Sequence, residues 1–404
     1  MGISSRSPGG WRVMDQQPQS GVERKPEALR RLVWFSEVQW DFLSTRKQRL
    51  LARFPEHWKI LFIEPFTLGR RNHWLPVRRG RVWVICVPFL KRVPFQIGRL
   101  LDVSAIRMLA GLPGLLLMRF WISFLGFGGR RRIIGLSNLY AAGPASRLQS
   151  SLRFYDANDD HLAFPGTPSW LNPELKRWLD CSQLVFSVSR TMTKRLQLSS
   201  GTKVIELGNG VEFSHFATPR TVVPALLAGT GGPILGYAGA MDWLDVPLLV
   251  RTAAAWPDCR IVLVGPAYER GWWERQNALR AAGNVTYAGL VGYKELPAWV
   301  QRFDLALLPL ERSPLKRASN PNKLYEYAAA GVPVLAINYC DAVYDAREVV
   351  MVAETEEEFV RMVPLALGDS RRELRQKFAR SHSWDTIAAA MVDELLRTSG
   401  EGTL

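Results

Sequence analysis

Cysteine and histidine are scarce in this sequence, and their scarcity argues against several classes of protein. The 404 residues include only four cysteines and five histidines. The cysteines are Cys86, Cys181, Cys259 and Cys340, so none forms a Cys-x-x-Cys pair, and no histidine lies beside them at metal-ligand spacing. A zinc site and a disulfide framework are therefore disfavoured, and a reducing compartment is indicated.

Acidic residues are few in the first part of the chain. Residues 1–150 contain 25 Lys and Arg against 8 Asp and Glu, whereas the remaining residues contain 27 against 29. The formal net charge of +15 is thus concentrated before position 150. Such an asymmetry predicts an anionic surface as partner, either nucleic acid or lipid. Because no helix-turn-helix, zinc-finger or RNA-recognition signature is present, we expect an anionic membrane surface and no nucleic acid.

Long uninterrupted hydrophobic runs are also absent. Residues 1–29 are polar and rich in Gly, Pro and Ser, so we predict a flexible tail and no signal peptide. The longest apolar stretch, 108–128, carries one charge at Arg119 and approaches the length of a membrane span. Arg119 and Pro113 disfavour a span. The surrounding segment 88–132 mixes aromatic and basic residues, which favours docking on a membrane surface over a buried core helix.

The sequence does contain a regular alternation of short apolar runs and amphipathic stretches. β-branched and aromatic residues dominate the runs, as in buried strands. The runs span residues 32–36, 60–64, 82–87, 132–136, 152–156 and 184–189, then 234–239, 260–265, 284–289, 304–309, 333–337 and 349–353. Alternating β and α elements indicate parallel sheets with right-handed crossovers. We therefore predict two doubly wound α/β domains, 30–217 and 233–380, joined by a linker at 218–232.

The stretch SNPNKLYEYAAAGVPVLAIN, residues 319–338, has the pattern of a helix that begins at a ligand. Asn320 can cap this helix, and Pro321 suits its first position. Lys323 and Glu326 then lie on one helical face. In doubly wound sheets ligands bind at the carboxyl ends of the strands, where helix N-termini attract anions. The stretch therefore predicts an anion site.

Two interpretations of this helix follow from the residues alone. The helix N-terminus and Lys323 would bind a diphosphate, while Glu326 would accept hydrogen bonds from the diol of a ribose, so that together they fit a nucleotide. Alternatively, Lys323 and Glu326 form an i, i+3 surface ion pair worth about 0.2–0.5 kcal/mol. The spacing does not decide between the two.

The stretch NPNKLYEYAAAGVPVLA resembles the nucleotide-sugar motif of GT-B glycosyltransferases related to glycosyltransferase family 4, above all the branch of teichuronic acid and exopolysaccharide enzymes. Segments along most of the chain resemble that family in the same order. They are WDFLSTRKQRLLARFPEHWKILFIEPF (40–66), FYDANDDHLAFPG (154–166), GNGVEFSHF (208–216), GYAGAMDWLDVPLL (236–249), NVTYAGLVGYKELPAWVQRFDLALLPL (284–310) and SHSWDTIAAAMVDELL (381–396).

The resemblance implies an α/β fold of GT-B type, in which two Rossmann-like domains face each other across a cleft and residues 381–396 return to the first domain. It implies transfer of a hexosyl or glucuronosyl unit from a nucleotide-diphosphate sugar, such as a UDP-sugar, to a lipid-linked or polysaccharide acceptor. The implied location is the cytoplasm, at the inner face of the cell membrane. The donor-side candidates are Asn209, Gly210, Gly239, Gly265, Arg317, Asn320, Asn322, Lys323 and Glu326. The acceptor-side candidates are Asp41, Arg46 and His161.

Catalytic candidates lie in FYDANDDHLAFPG, which also resembles the segment that supplies the base of the inverting xanthan glucuronosyltransferase. Asp159 is the first candidate for a base and Asp160 the second, although such residues are also common in turns. A retaining enzyme, as in family 4, needs no base because the donor phosphate can take the proton. No Asp-x-Asp metal motif follows a strand. We therefore expect no metal or cofactor, with the helix dipole and Lys323 stabilising the leaving diphosphate.

The sequence departs from the family pattern at two places. Ala318 stands where the first Glu of the Glu-x7-Glu signature would fall, and residues 242–244 replace the basic residues that commonly follow GYAG. The positive charge on the diphosphate must then come from Lys323, with Lys316 or Arg317 beside it.

Two other functions remain compatible with these residues. One is a nucleotide-sugar epimerase of the same fold, which needs no membrane patch. The other is a non-catalytic basic protein that binds membrane or nucleic acid and retains a degenerate nucleotide site. The 88–132 segment favours the transferase over the epimerase, and the intact helix start at 321–326 favours it over the binding protein.

Overall fold

The computed structural model describes residues 29–42, 45–88, 99–229 and 231–400. Within them the chain forms two β-sheets, both flanked by helices. Residues 1–28 of the predicted tail and residues 89–98 of the predicted docking segment lie outside the described residues.

The first sheet contains eight strands in the described part of the chain, in the order β3-β4-β2-β1-β5-β6-β7-β8. They are β1 Arg30–Phe35, β2 Trp58–Pro65, β3 Val77–Arg79, β4 Val82–Val87, β5 Arg132–Leu136, β6 Leu152–Ala157, β7 Leu184–Ser187 and β8 Lys203–Glu206. All neighbours are parallel except β3 and β4. The central strands are buried on both faces, which explains their continuous apolar runs.

The second sheet contains six described strands, all parallel, in the order β11-β10-β9-β12-β13-β14. They are β9 Ile234–Ala238, β10 Arg260–Val264, β11 Val285–Gly289, β12 Leu305–Leu308, β13 Val334–Ile337 and β14 Met351–Ala353. The predicted linker, 218–232, falls between the last strand of the first sheet and the first strand of the second.

The twelve strands predicted from the apolar runs are confirmed, and two further strands escaped prediction. β3 has three residues, Val-Arg-Arg, and pairs with β4 through a turn at Gly80, whose φ is 58°. β8 is an edge strand with both ends exposed. Neither has the apolar run of a buried strand, because each pairs on one side only and is partly exposed.

Helices connect the strands and pack on the sheets. They are α1 Arg46–Leu51, α2 Ser104–Phe124, α3 Ala142–Ser146, α4 Leu171–Asp180, α5 Arg190–Ser199, α6 Phe213–Ala217, α7 Val246–Ala255, α8 Trp272–Arg275, α9 Asn277–Ala281, α10 Leu296–Val300, α11 Pro314–Arg317, α12 Asn322–Ala330, α13 Asp341–Asp345, α14 Glu356–Leu367, α15 Arg372–Ser381 and α16 Trp384–Thr398.

The last helix, α16, packs on the first sheet and not on the second. Trp384 and Leu395 are buried in the same apolar cluster as Leu32 and Trp58 of the first domain. The chain crosses back beside Val211, whose N–H donates to the carbonyl of His382 and whose carbonyl accepts from the N–H of Trp384, at 3.0 and 3.1 Å. The C-terminus therefore completes the first domain.

Helix α2 is mostly exposed, so the interpretation of 108–128 as a core helix is wrong. The buried positions are Gly114, Leu115, Met118 and Ile122. The exposed large apolar residues, named here the apolar face of α2, are Ile106, Met108, Leu109, Leu112, Leu116, Phe120 and Phe124. Within the described ranges α2 alone could cross a membrane by length and composition, and one such helix does not establish a span.

Replacing Leu395 with alanine should destabilise the first domain although this residue lies in the C-terminal helix. Leu395 is fully buried, so Leu395→Ala should lower the free energy of unfolding by about 2–5 kcal/mol. Urea unfolding followed by tryptophan fluorescence measures this change. The matched control is Leu198→Ala, a helical leucine that is 90% exposed, which should change stability by less than about 0.5 kcal/mol. Equal effects of the two substitutions would contradict the packing of α16.

Candidate active site

The two sheets meet at the carboxyl ends of their strands. The Ser189 hydroxyl, just after β7, donates to the Ala318 carbonyl at 2.8 Å, and Ala318 follows β12. Asn209, just after β8, donates its side-chain amide to the Asn320 carbonyl at 2.7 Å. The Thr191 N–H donates to Asp341, which follows β13, at 2.7 Å. Loops that follow strands of both domains therefore border one cleft, the usual ligand position in doubly wound folds.

Helix α12 begins at this cleft without a side-chain cap. Pro321 is the N-cap, one residue later than predicted, and Asn322 is the first helical residue. Asn320 was predicted to cap and to bind the donor, but its side-chain oxygen accepts from the Asn209 N–H at 3.2 Å. Asn320 and Asn209 thus bind each other and join the domains, and their predicted contact with the donor stays a prediction. The first N–H groups of α12 are left for a ligand.

Lys323 and Glu326 lie on the first turns of α12 and do not form the surface ion pair that was the alternative interpretation. Neither side chain forms an ion pair with any described residue, although the charge of each acts on the other from a greater distance. The Lys323 ammonium lies 5.6 Å from the centre of the Tyr237 ring. Burial lowers the pKa of Lys323 and raises the pKa of Glu326. Both groups are thus desolvated without a compensating partner of opposite charge in contact.

Gly239 gives Lys323 its position. A Cβ atom at residue 239 would lie 1.7 Å from Cε and 2.5 Å from Nζ of Lys323, so the lysine occupies the space that a side chain would fill. Gly265 has φ of +134°, and a Cβ there would lie 2.1 Å from the Gly239 carbonyl oxygen. Both glycines are therefore required for the ends of β9 and β10 to lie this close to the lysine.

Asn322 contributes a second polar group at the start of α12. Its side-chain oxygen is buried and accepts no hydrogen bond from the described residues. Since a buried acceptor without a partner costs roughly 1–3 kcal/mol, this atom is available to a ligand donor. The sequence placed Asn322 among the donor-side residues, and the structure brings it to the cleft beside Lys323.

Lys316 faces the cleft, and Arg317 lines a depression beside it. The Lys316 ammonium lies 3.7 Å from the centre of the Trp243 ring, and burial lowers the pKa of Lys316 to about 8. The charges of Asp159 and Lys323 both act on Lys316, so all three share the cleft. Arg317 is exposed and lines a depression of about 260 Å³ together with Asp341, the residue that accepts from the Thr191 N–H. The donor-binding role of Arg317 therefore stays a prediction.

Asp242 explains one departure from the family pattern. Its carboxylate accepts from the N–H groups of Tyr268 and Glu269, at 2.9 and 2.8 Å. These bonds join the loops that follow β9 and β10. A basic residue at position 242 could not accept these hydrogen bonds. The Asp242 carboxylate therefore holds the loop, and Lys316 supplies positive charge to the cleft.

A cavity of about 490 Å³ lies on the first-domain side of the cleft. Its polar lining residues are Glu37, Ser137, Asn138, Asn158, Asp159 and His161. Burial raises the pKa of Asp159, although the charges of His161 and Lys316 oppose the shift. A half-buried carboxylate with a raised pKa beside an open cavity has the properties of a general base. His161, an acceptor-side candidate, does reach this cavity.

Asp160 does not share the position of Asp159. It is 3% exposed and pairs with Arg195 at 2.6 Å, while its N–H donates to the Asp159 carboxylate at 2.9 Å. The contacts of Asp160 are those of a residue that holds the loop, so Asp159 remains the first candidate for the base and Asp160 the second.

Glu37 lines the same cavity and was not found from the sequence. Burial opposes its ionisation, but the neighbouring Lys47 ammonium and His161 outweigh burial and hold the pKa of Glu37 at about 2. It therefore stays ionised and serves as a hydrogen-bond acceptor. Its only sequence signal is its place immediately after β1, at the same sheet edge as Asp159.

Three further candidates, Arg46 and Asp41 on the acceptor side and Gly210 on the donor side, already make contacts within the protein. Arg46 is buried, binds Asp156 at 3.1 Å and donates to the Gly208 carbonyl at 2.5 Å. Asp41 is an exposed residue that accepts two hydrogen bonds from Arg79, at 3.1 and 2.7 Å. A Cβ on Gly210 would lie 2.7 Å from the His382 carbonyl, so a glycine is needed there for packing. These contacts assign structural roles to the three residues, and their predicted roles toward the substrates stay predictions.

Comparisons with known proteins agree with this geometry. Residues 247–393 match a family model described as glycosyl transferase-like. The chain is 25% identical over 402 residues to a protein of Bacillus subtilis strain 168 named as a teichuronic acid biosynthesis glycosyltransferase, TuaH. That match covers 91% of this chain and 96% of TuaH. The chain is a GT-B glycosyltransferase. The epimerase and binding-protein alternatives are accordingly not favoured.

Solved structures agree on the fold of this glycosyltransferase. A sucrose-phosphate synthase from Thermosynechococcus elongatus superposes with a TM-score of 0.67 at 14% identity, covering 91% of this chain and 98% of that one. Anabaena HepE, in complex with UDP and glucose, superposes with a TM-score of 0.64 at 13% identity, covering 91% and 100%. The predicted architecture of two Rossmann-like domains is confirmed.

Metal binding was not expected for this enzyme. The described residues contain no group of three or more His, Cys, Asp or Glu side chains that could hold a metal ion. Metal independence remains an expectation, and donor binding with and without a chelator tests it.

Replacing Gly239 with alanine should displace Lys323 without unfolding the protein. The new methyl group would overlap the flexible end of the Lys323 side chain and lie 2.7 Å from the Tyr237 hydroxyl oxygen, so the lysine moves, the tyrosine shifts slightly and the fold is retained. If Lys323 binds the donor diphosphate, Gly239→Ala should weaken donor binding about 10–100-fold, as should Lys323→Ala, since a hydrogen bond to a charged group contributes about 1.5–3 kcal/mol. Calorimetry with UDP-, GDP- and dTDP-sugars measures the effect. Gly201→Ala, with no atom near the added Cβ, is the control. Unchanged donor affinity in Gly239→Ala would contradict the role of Lys323.

Proposed function

We propose that this enzyme transfers a sugar from a nucleotide-diphosphate sugar to a lipid-linked or polysaccharide acceptor during cell-surface polysaccharide biosynthesis. The observation that carries the proposal is the pair of lysines Lys316 and Lys323, which share the cleft with Asp159 and form no ion pair with any described residue. Two partly buried cations fit a diphosphate, and a base beside a cavity fits a sugar hydroxyl. The name of TuaH and the UDP and glucose bound by HepE support the same substrates.

On the donor side, the N–H groups at the start of α12 and the two lysine ammonium groups bind the diphosphate. Their positive charge stabilises the negative charge that develops as the bond to the sugar breaks. Glu326, one turn into α12, accepts hydrogen bonds from the ribose hydroxyls. No metal is required, since the helix dipole and lysines carry the compensating charge.

On the acceptor side, Asp159 acts as general base and the product is inverted at the anomeric carbon. The acceptor hydroxyl oxygen attacks that carbon, its proton passes to an Asp159 carboxylate oxygen, and the nucleoside diphosphate leaves with the bonding electron pair. Glu37 and His161, in the same cavity, orient the acceptor through hydrogen bonds. Burial favours this role because it makes Asp159 a stronger base than an exposed aspartate.

Helix α2 docks the enzyme on the inner face of the cell membrane. Its apolar face is uncovered in the described structure, and the exposed Arg119, Arg130 and Arg131 lie on the helix or shortly after it. Apolar residues insert at the headgroup boundary while each nearby basic residue contributes roughly 1 kcal/mol of attraction to anionic lipid. Docking in this way brings a lipid-linked acceptor to the first domain, on which α2 lies.

Replacing Asp159 with asparagine tests the proposed reaction. Asp159→Asn should lower kcat about 10²–10⁴-fold and leave donor affinity unchanged, because the base acts only on the acceptor. The assay measures nucleoside diphosphate released from the tightest-binding donor in the presence of a bacterial lipid extract. The matched control, Asp160→Asn, should lose the Arg195 ion pair and melt earlier but retain most of its kcat. Full activity in Asp159→Asn would contradict the assignment of Asp159 as general base and favour a retaining reaction.

The affinity for the donor should depend on pH through Lys316. Its pKa of about 8 means that the ammonium is charged below pH 8 and loses its proton above. A diphosphate binds the charged form, so affinity should fall by up to ~tenfold per pH unit above pH 8. Lys316→Arg should flatten this fall because a guanidinium stays charged in this range. Calorimetry from pH 7 to 9.5 provides the measurement, and identical profiles for both proteins would exclude Lys316 from the diphosphate site.

A further inference from the structure

A second cavity, of about 410 Å³, lies between α2 and the segment that follows β5. Its walls come from α2 on one side and from α3, α4 and the residues around them on the other. Its charged lining residues are Arg107, Arg147, Glu174 and Arg177, and Met108, Tyr140 and Trp170 are among its apolar and aromatic ones. Its volume is within the range of small-molecule sites. The roles proposed above for the donor and the sugar hydroxyl do not use it.

The second cavity adjoins the cavity that contains Asp159. Tyr140 and Trp170 line both, and their rings meet edge to face with centroids 5.6 Å apart. A molecule bound across these two rings would extend from α2 to the proposed base. The two cavities therefore form adjacent compartments on one side of the cleft.

The lining of the second cavity is positively charged. Arg107 and Arg177 share the single carboxylate of Glu174, at 3.3 and 2.7 Å. Arg147 also lines the cavity, is exposed, and has no ion pair in the described part of the chain. The Arg107 guanidinium stacks 4.8 Å from the centre of the Trp170 ring, which holds it at the boundary between the compartments. Three guanidinium groups against one carboxylate complement a phosphate or diphosphate.

The same cavity opens toward the apolar face of α2. Met108 belongs to both, since it lines the cavity and is 51% exposed. A ligand that satisfies both features has an anionic head and an apolar chain. Free nucleotides and free sugars lack the chain, whereas membrane-anchored glycans attached through phosphate have both.

We propose that the second cavity binds the phosphate of a lipid-phosphate-linked acceptor. The lipid chain lies along the apolar face of α2, and the attached glycan passes Tyr140 and Trp170 to reach Asp159. This inference rests on the proposed function and narrows its acceptor from glycans in general to glycans carried on a lipid phosphate. Arg147 and Arg107 then determine specificity for the acceptor and do not contact the reacting atoms.

Binding of farnesyl diphosphate below its micelle concentration tests the proposal with a soluble probe. The full chain should bind it, and inorganic diphosphate and farnesol should each bind at least about tenfold more weakly. Arg147→Glu should weaken the binding of farnesyl diphosphate about tenfold or more, whereas Arg361→Glu, at an exposed arginine of α14 far from the cavity lining, should change it less than about twofold. Met108→Gln should weaken binding more than Leu365→Gln, at an exposed leucine of α14 that belongs neither to the cavity nor to the apolar face of α2.

Donor binding measured on the same samples distinguishes failure of the proposed acceptor site from failure of the proposed transferase function. The second site would be overturned if wild type and Arg147→Glu bound farnesyl diphosphate equally well. It would also be overturned if a nucleotide sugar displaced farnesyl diphosphate. If inorganic diphosphate bound as tightly as farnesyl diphosphate, the cavity would be a site for free anions, and the assignment of a lipid-linked ligand would be wrong. If the protein neither bound a donor nor released nucleoside diphosphate, the proposed function would be wrong, regardless of its affinity for farnesyl diphosphate.

Discussion

The donor half of the cleft depends on the close approach of Lys323 to Gly239. Burying an ammonium group costs hydration, and the Tyr237 ring compensates only part of that cost. The lysine is nevertheless held in place because the strand end has no side chain where its stem lies. A bound diphosphate would supply the missing negative charge. The glycine, the aromatic ring and the lysine therefore work as one unit, and none of them has this role alone.

Several polar residues that resemble family motifs hold the cleft together and do not face it. Asn209 and Asn320 bind each other across the domain junction, and Arg46 joins Asp156 to the loop at Gly208. These contacts set the separation between Asp159 and the lysines. A polar residue in a binding motif can thus contribute through geometry, since preorganised distances are what a transfer reaction requires.

The features that could be predicted from the sequence are those that depend on residues close together in the chain. Buried parallel strands are continuous apolar runs, and the start of α12 combines Pro321 and Lys323 in a few residues, so both were predictable. The edge strands β3 and β8 lack such runs. Glu37 could not be assigned because its role depends on loops from distant parts of the chain meeting at one cleft, and the sequence left Lys316 and Arg317 as equal candidates for the same reason. Asp159 and Asp160 are adjacent in sequence, and only the Arg195 partner distinguishes them.

The return of α16 to the first domain means that the second domain is a continuous insertion, running from about Val211 to Ser383, within the first. The chain enters and leaves it through two backbone segments that lie side by side and are hydrogen-bonded to each other. Two adjacent attachment points permit rotation about the line between them and resist translation. If the cleft opens, rotation about this line is the motion that these attachment points favour, and it would carry Lys316 along an arc toward or away from Asp159. The insertion could also be exchanged as a single uninterrupted piece of chain, carrying the donor site with it and leaving the acceptor cavities intact.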